Sequence, residues 1–218
     1  TGEWGAFTSI GAGMSAVYGD KIPHVVFALF QCMFAQITPA ILSGAVAGRI
    51  KFAPYCVFIV AWILLVYCPI ARWLWALKLN DTTGEIEAAG FLGKLGVIDG
   101  AGGNVIHISG GVSAAAAALV VGPRLVRVDV KVDIAKALTG WSLLYFGWFG
   151  FNAGSALSAN AVAGGAAVAT HFCACSCIVT WMICEYIHEK RVSFTGICSA
   201  GIIGLVVITP CCLFVSSR

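Results

Sequence analysis

The chain has 218 residues, of which 60% are hydrophobic and 11% are charged, whereas roughly 25% of the residues in a soluble domain are charged. So few polar side chains could not cover a water-soluble fold, and a chain this hydrophobic is not intrinsically disordered. The 13 Lys and Arg residues are scattered rather than clustered, which excludes a nucleic-acid-binding surface. The composition therefore predicts a multi-pass membrane protein surrounded by the lipid bilayer.

Long uncharged runs predict where the chain crosses the membrane. A helix of about 20 apolar residues spans a bilayer core of about 30 Å. We expect an all-α polytopic membrane protein, with residues 1–218 forming one membrane domain and the mixed stretch 78–99 forming a loop. The six predicted transmembrane helices lie at approximately 25–48, 52–75, 100–122, 137–157, 162–186 and 193–215.

Aromatic side chains occur near the ends of the first two predicted helices and recur in the fourth. Phe30 and Phe34 lie in the first, Trp75 ends the second, and Phe151 lies in the fourth. Aromatic residues at span ends are typical of the membrane interface. The functional alternative is a site that attracts a small cation, because a ring face binds a cation with roughly 0.5–2 kcal/mol.

Polar residues at membrane depth are costly, and they therefore mark candidate functional sites. His107 lies in an otherwise apolar run, eight residues after Asp99. This spacing places the two on one side of an α-helix, and Asp99 is positioned to cap that helix. A buried neutral histidine satisfied by a neighbour is the alternative for His107. Asn152 and Ser155 fall at the outer end of the fourth predicted helix.

The ten cysteines lie in or beside apolar runs, where cysteine acts as a small packing residue. Disulfide frameworks belong to short secreted domains, and no CxxC, HExxH or phosphate-binding glycine motif is present. We therefore expect no metal, no cofactor and no enzymatic activity. A rival hypothesis is a redox membrane protein in which His107 and His171 bind haem, since helix bundles can supply paired histidines.

Several motifs resemble those of the ammonium transporter family, known as Amt/Mep/Rh. The most specific are the D-x-A-G-G-x-x-x-H pattern within GVIDGAGGNVIHIS, at 96–109, and GWFGFNAGSALSAN, at 147–160. The resemblance is also dense in FALFQCMFAQITPAILSGAVAGRIKF, VYCPIARWLW and GIIGLVVITP. It covers most of the chain, and its motifs are too specific for chance similarity.

The resemblance implies an outer site that recruits ammonium through cation–π contacts and a hydroxyl group. The matching residues are Phe30, Phe34, Trp75 and Ser155. It also implies a gate of two stacked phenyl rings below this site, with Phe34 and Phe151 at the matching positions. The substrate implied for these residues is ammonium or ammonia, carried through a hydrophobic pore.

The resemblance further implies that His107 is the first of two pore histidines that accept the substrate or its proton. Asp99 matches an acidic residue that holds the site together. We also assign Asn152 a supporting role. For the complete protein, the resemblance implies a homotrimer in the plasma membrane that takes up ammonium as a nitrogen source.

Members of the family have eleven membrane helices built around a five-plus-five inverted repeat. The chain matches the third to the eighth of these helices, and the second pore histidine belongs to a later one. Two alternatives to transport follow. The same scaffold could serve as an ammonium sensor or a non-conducting regulatory membrane subunit, or the chain could be an inactive fragment.

Overall fold

The computed structural model describes residues 13–124 and 132–215. The remaining parts of the predicted 1–218 domain lie outside these ranges. The chain divides into two compact units, Thr1–Arg127 and Val128–Arg218. The described residues are mostly helical, and the predicted all-α polytopic class is confirmed, with two short β-hairpins in addition.

The first unit has one long helix followed by shorter helical segments. Its α-helices are α1 (His24–Val46), α2 (Phe52–Trp62), α3 (Cys68–Trp75), α4 (Phe91–Lys94) and α5 (Ser109–Val121). Two π-helical segments interrupt the α-helical geometry: Ile63–Tyr67 joins α2 to α3, and Gly103–Ile108 leads into α5. Helix α1 packs against α5, and Trp62 donates its indole N–H to the Ser113 hydroxyl over 3.0 Å.

Two antiparallel hairpins lie at the ends of these helices. Strand β1 (Met14–Ser15) pairs with β2 (Gly19–Pro23), and β3 (Leu77–Leu79) pairs with β4 (Ile86–Ala88). The stretch 78–99 was predicted to be a loop, and the second hairpin and α4 correct that expectation. An ion pair between Lys78 and Glu87, with 2.6 Å between Nζ and Oε1, joins facing residues of β3 and β4. Such strands are too short to show an alternating pattern in the sequence.

The second unit contains three helices: α6 (Ile134–Gly154), α7 (Ala161–Glu189) and α8 (Phe194–Ile208). Each begins with a side-chain cap, because Asp133, Asn160 and Ser193 accept hydrogen bonds from amides of the following first turns. Helix α8 ends before Pro210, which lacks an amide donor and restricts the residue before it. The helix is therefore shorter than the predicted 193–215.

Four helical segments of the described chain are long and apolar enough to cross a membrane: His24–Val46, Phe52–Trp75, Gly103–Val121 and Ala161–Glu189. Helix α8 is apolar but has 15 residues, and at about 1.5 Å per residue it is shorter than the bilayer core. Helix α6 has 21 residues and carries Lys136. Phe52, Leu119 and Val120 are 80–88% exposed, as expected for side chains that face lipid.

Close packing of α7 on α8 depends on small residues of α8. A Cβ atom at Gly204 would lie 2.7 Å from Cα of Ala174 and 2.8 Å from the carbonyl oxygen of Cys173. Both atoms belong to the backbone of α7, so no side chain can move aside. Glycine at this position therefore sets the distance between the two helices, as small residues do in membrane bundles.

We expect Gly204→Ala to destabilise the purified chain by about 1–3 kcal/mol, the usual effect of overpacking, although alanine is the better helix former. Thermal unfolding in detergent measures the effect. The matched control is Gly150→Ala in α6, where an added Cβ meets nothing within 4 Å. Equal unfolding midpoints for the two variants would contradict the packing argument.

Candidate functional site

The Asp99 carboxylate organises the start of the helix that carries His107. Asp99 is 9% exposed. Its Oδ1 atom accepts hydrogen bonds from the amides of Gly102 and Gly103, at 2.9 and 2.6 Å, and its Oδ2 atom from those of Asn104 and Val105, at 2.8 and 3.0 Å. Amides at a helix start have no partner within the helix, and the positive end of the helix dipole favours an anion. The predicted capping role of Asp99 is confirmed.

The position of Asp99 relative to the helix differs from the expectation. The predicted shared side of Asp99 and His107 assumed one continuous α-helix, but the helical segment begins at Gly103 and is π-helical. Asp99 therefore precedes the helix, and its carboxylate reaches forward to the first turn. The turn passes through Gly102, whose φ of +100° suits glycine better than any other residue. Burial raises the pKa of the Asp99 carboxyl, while its four amide hydrogen bonds act in the opposite direction.

His107 lies in the wide π-helical turn that Asp99 caps. The carbonyl oxygen of Gly102 accepts from the amides of both Ile106, at 2.8 Å, and His107, at 3.3 Å. The half-buried His107 follows Val105 and Ile106, which are both fully buried. Single π-helical turns often occur at functional sites. This turn was not predicted from the sequence, where the paired glycines at 102 and 103 were the available signal.

Three aromatic rings form a cluster in the same unit. The rings of Phe30 and Phe34 meet edge to face with centroids 4.8 Å apart, and those of Phe34 and Trp75 do so at 5.6 Å. The indole N–H of Trp75 donates to the backbone carbonyl of Asp99 over 2.8 Å. Asp99 therefore contacts the aromatic cluster through its backbone and the His107 helix through its side chain. Phe30, Phe34, Trp75, Asp99 and His107 thus belong to one connected arrangement.

The remaining predicted site residues lie in the second unit, at the end of α6. Asn152 is fully buried; its Nδ2 atom donates to the Thr170 hydroxyl over 2.9 Å, and its Oδ1 atom lies 3.3 Å from the Thr209 hydroxyl. The Ser155 hydroxyl donates to the carbonyl oxygen of Phe151 over 2.8 Å. The gate predicted from Phe34 and Phe151 combines residues of both units and stays a prediction.

Two further observations concern candidate ligands. The His171 ring is engaged within the second unit, where its Nδ1 atom lies 2.6 Å from the Tyr145 hydroxyl. Across the described ranges 13–124 and 132–215, no group of three or more His, Cys, Asp or Glu side chains could hold a metal ion. Thr170 and Thr209 were not among the site residues predicted from the sequence. The sequence shows each of them only as a hydroxyl-bearing residue in an apolar run.

Removing the Asp99 carboxylate leaves four amides at the helix start without this acceptor. We expect Asp99→Ala to lower the free energy of unfolding by at least about 2 kcal/mol, since even one lost cap costs roughly 0.5–2 kcal/mol. Asp99→Asn keeps one side-chain carbonyl acceptor and should lower the free energy of unfolding by a smaller amount. Denaturant unfolding of the detergent-solubilised chain measures both. The control is Asp133→Ala, which removes the exposed cap of α6; a loss for Asp99→Ala no larger than for Asp133→Ala would contradict the capping argument.

The geometry defines a polytopic helical membrane protein in which one buried aspartate binds an aromatic cluster through its backbone carbonyl and caps a histidine-bearing helix through its carboxylate. The sequence model of the Ammonium Transporter Family matches residues 2–217. The chain belongs to the ammonium transporter family, and the resemblance seen in the sequence is confirmed.

Individual relatives agree with this assignment. An ammonium transporter from Bacillus subtilis is 40% identical over 215 residues, covering 98% of this chain and 50% of the relative. The crystal structure of Saccharomyces cerevisiae Mep2 is 34% identical, with a TM-score of 0.79, covering 91% of this chain and 44% of that one. A solved structure described as a sensor Amt protein is 33% identical, with a TM-score of 0.76, covering 87% and 48%. The chain spans about half the length of the curated relatives it matches.

Proposed function

We propose that this chain builds part of a membrane pore that carries ammonium or ammonia. The observation that supports the proposal is the shared attachment at Asp99: its backbone accepts from Trp75 of the aromatic cluster, and its carboxylate caps the helix that carries His107. An aromatic cation site and an imidazole held by one residue suit a small cation that can lose a proton. The transporter names of the relatives also support it.

In the proposed mechanism, the rings of Phe30, Phe34 and Trp75 and the Ser155 hydroxyl replace part of the water around ammonium. Ring faces supply cation–π attraction. Passage beyond the rings requires the gate of Phe34 and Phe151 to open. Loss of water disfavours the charged form of the substrate, so the pKa of ammonium falls inside the pore.

His107 then receives ammonia or the proton released from ammonium. Imidazole suits this role because its unperturbed pKa lies near neutral pH. Potassium has no proton to release and cannot follow the same route. Asp99 fixes the direction of the His107 helix, and Asn152 supports the segment that carries Phe151 and Ser155.

The wider assembly is also part of the proposal. Residues 1–218 form one membrane domain with six transmembrane helices, within an eleven-helix fold of five-plus-five inverted repeats. The complete protein is a homotrimer in the plasma membrane that takes up ammonium as a nitrogen source. Its function is transport, with neither catalysis nor a cofactor.

The transport proposal is tested in liposomes with the complete protein that contains this chain. We expect ammonium-driven uptake in the wild-type protein and at least roughly tenfold less in His107→Ala, since proton transfer by a positioned side chain contributes about 10²–10⁴-fold where it operates. The matched control is His188→Ala, an exposed histidine near the end of α7. Unchanged uptake and unchanged selectivity over potassium in His107→Ala would contradict the relay role.

A second candidate function is ammonium sensing without conduction, favoured by the likeness to the structure described as a sensor Amt protein. Calorimetric titration with ammonium and the liposome flux measurement together separate the two functions, because a sensor binds ammonium but gives no flux. Under either function, Trp75→Leu should weaken binding roughly 2- to 30-fold, which corresponds to the loss of one cation–π contact. Trp73→Leu, which removes a 46% exposed tryptophan, should leave affinity unchanged. Equal affinities for the two variants would contradict the aromatic site.

A further inference from the structure

We propose that Thr170 and Thr209 are positioning residues that set the direction of the Phe151 ring and the Ser155 hydroxyl. The inference rests on the proposed function, which assigns Phe151 to the gate and Ser155 to ammonium recruitment. It assigns a role to two threonines of a buried polar network that the recruitment and relay steps leave unused.

The network is buried completely within the second unit. Asn152, Thr170 and Thr209 are each 0% exposed, and Trp148 is 4% exposed. Trp148 and Asn152 belong to α6, Thr170 belongs to α7, and Thr209 directly follows α8. Hydrogen bonds among these residues therefore join α6, α7 and the end of α8.

Each threonine hydroxyl accepts a hydrogen bond from α6. The Thr170 hydroxyl accepts from Asn152 Nδ2 over 2.9 Å, and its own proton goes to the carbonyl oxygen of Ala166 over 2.6 Å. The Thr209 hydroxyl accepts from the Trp148 indole N–H over 3.0 Å, and its own proton faces two acceptors, the carbonyl oxygen of Leu205 at 2.7 Å and Asn152 Oδ1 at 3.3 Å. Each hydroxyl oxygen therefore accepts from a donor on α6 while its proton is engaged by a neighbouring acceptor, which restricts the direction of the contact.

The two contacts act on the neighbours of the proposed site residues. The Trp148 ring lies 5.3 Å from the Phe151 ring, so anchoring the indole at Thr209 fixes a surface against which Phe151 packs. Asn152 is adjacent to Phe151 in the chain, and its backbone carbonyl accepts from the Ser155 amide over 3.3 Å. The Ser155 hydroxyl in turn donates to the Phe151 carbonyl. A rotation of this end of α6 would therefore redirect the phenyl ring and the hydroxyl together.

A polar network is a specific way to fix this rotation. Apolar side chains of similar shape could fill the same space, but they would tolerate small turns of α6 about its axis. Hydrogen bonds have preferred directions, and a fully satisfied buried network specifies one arrangement of the groups that join it. If the threonines position Phe151 and Ser155, loss of either hydroxyl changes the ammonium affinity. If their role is purely structural, loss of either hydroxyl changes the stability alone.

The test uses Thr170→Val and Thr209→Val, which keep the side-chain shape and remove the hydroxyl, together with Thr170→Ser and Thr209→Ser, which retain it. Thr180→Val is the matched control: Thr180 lies on α7 and makes the same kind of hydrogen bond to its own helix, to Ser176 over 2.8 Å, but is exposed. Trp148→Phe removes the indole donor from the opposite side and provides a further variant should a valine substitution prevent folding.

Two measurements are made on each purified variant: hydrogen exchange at the amides of residues 151–157 and the ammonium dissociation constant by calorimetry. The valine variants and Trp148→Phe should exchange faster in this segment and bind ammonium roughly 3- to 30-fold more weakly, which corresponds to the loss of one interhelical hydrogen bond. The serine variants and Thr180→Val should match the wild-type chain in both measurements.

Wild-type exchange rates in the valine variants overturn the proposal, whatever their affinity. Faster exchange with wild-type affinity also overturns it, because the threonines would then act on stability alone. A wild-type chain that binds no ammonium overturns the proposed function and the substrate role of this segment. Hydrogen exchange then decides separately whether the threonines orient the end of α6.

Discussion

The hydrogen bonding of one buried carboxylate fixes the start of the helix that carries His107. Asp99 accepts four consecutive backbone amides through its two carboxylate oxygens, where the helix itself provides no acceptor. This contact fixes the point at which the π-helical segment begins and therefore the position of His107 within that turn. The Asp99 carbonyl also accepts from the Trp75 indole, so the aromatic cluster is held relative to the same residue.

The second unit depends on a different constraint, which is the close approach of helix backbones. Gly204 leaves no room for a Cβ atom between α7 and α8, and hydroxyl groups on these segments reach α6 side chains across short distances. In a bundle surrounded by lipid, helix association depends on packing and interhelical hydrogen bonds more than on the hydrophobic effect. The abundance of small residues in these helices follows from that constraint.

Much of this arrangement could be predicted from the sequence because the relevant signals are local. Uncharged runs predicted membrane helices, and an aspartate before a glycine-rich helix start predicted a cap. Family motifs predicted that Phe30, Phe34 and Trp75 act together, and the structure places these three rings in contact. The functional roles of the site residues come from the resemblance and remain proposals.

Other features could not be predicted because they depend on contacts between distant parts of the chain. The paired glycines before His107 indicate an irregular helix start, but they do not specify a π-helical turn, which is identified by the hydrogen bonds to the Gly102 carbonyl. Asn152 was predicted to lie at the outer end of the fourth membrane helix, and that position does not indicate whether its side chain is buried. Its burial follows from Thr170 and Thr209, which are 18 and 57 residues away in sequence.

We propose that the aromatic cluster and His107 form one ammonium-responsive arrangement joined through Asp99. The most direct measurement is nuclear magnetic resonance of the His107 imidazole, isotopically labelled, during titration of the wild-type chain and Asp99→Asn with ammonium. We expect the imidazole resonances to shift over the same ammonium concentrations as the Trp75 indole signal, and in Asp99→Asn we expect the two signals to shift over different concentrations. A Trp75 response with an unaltered His107 signal in the wild-type chain would contradict this proposal.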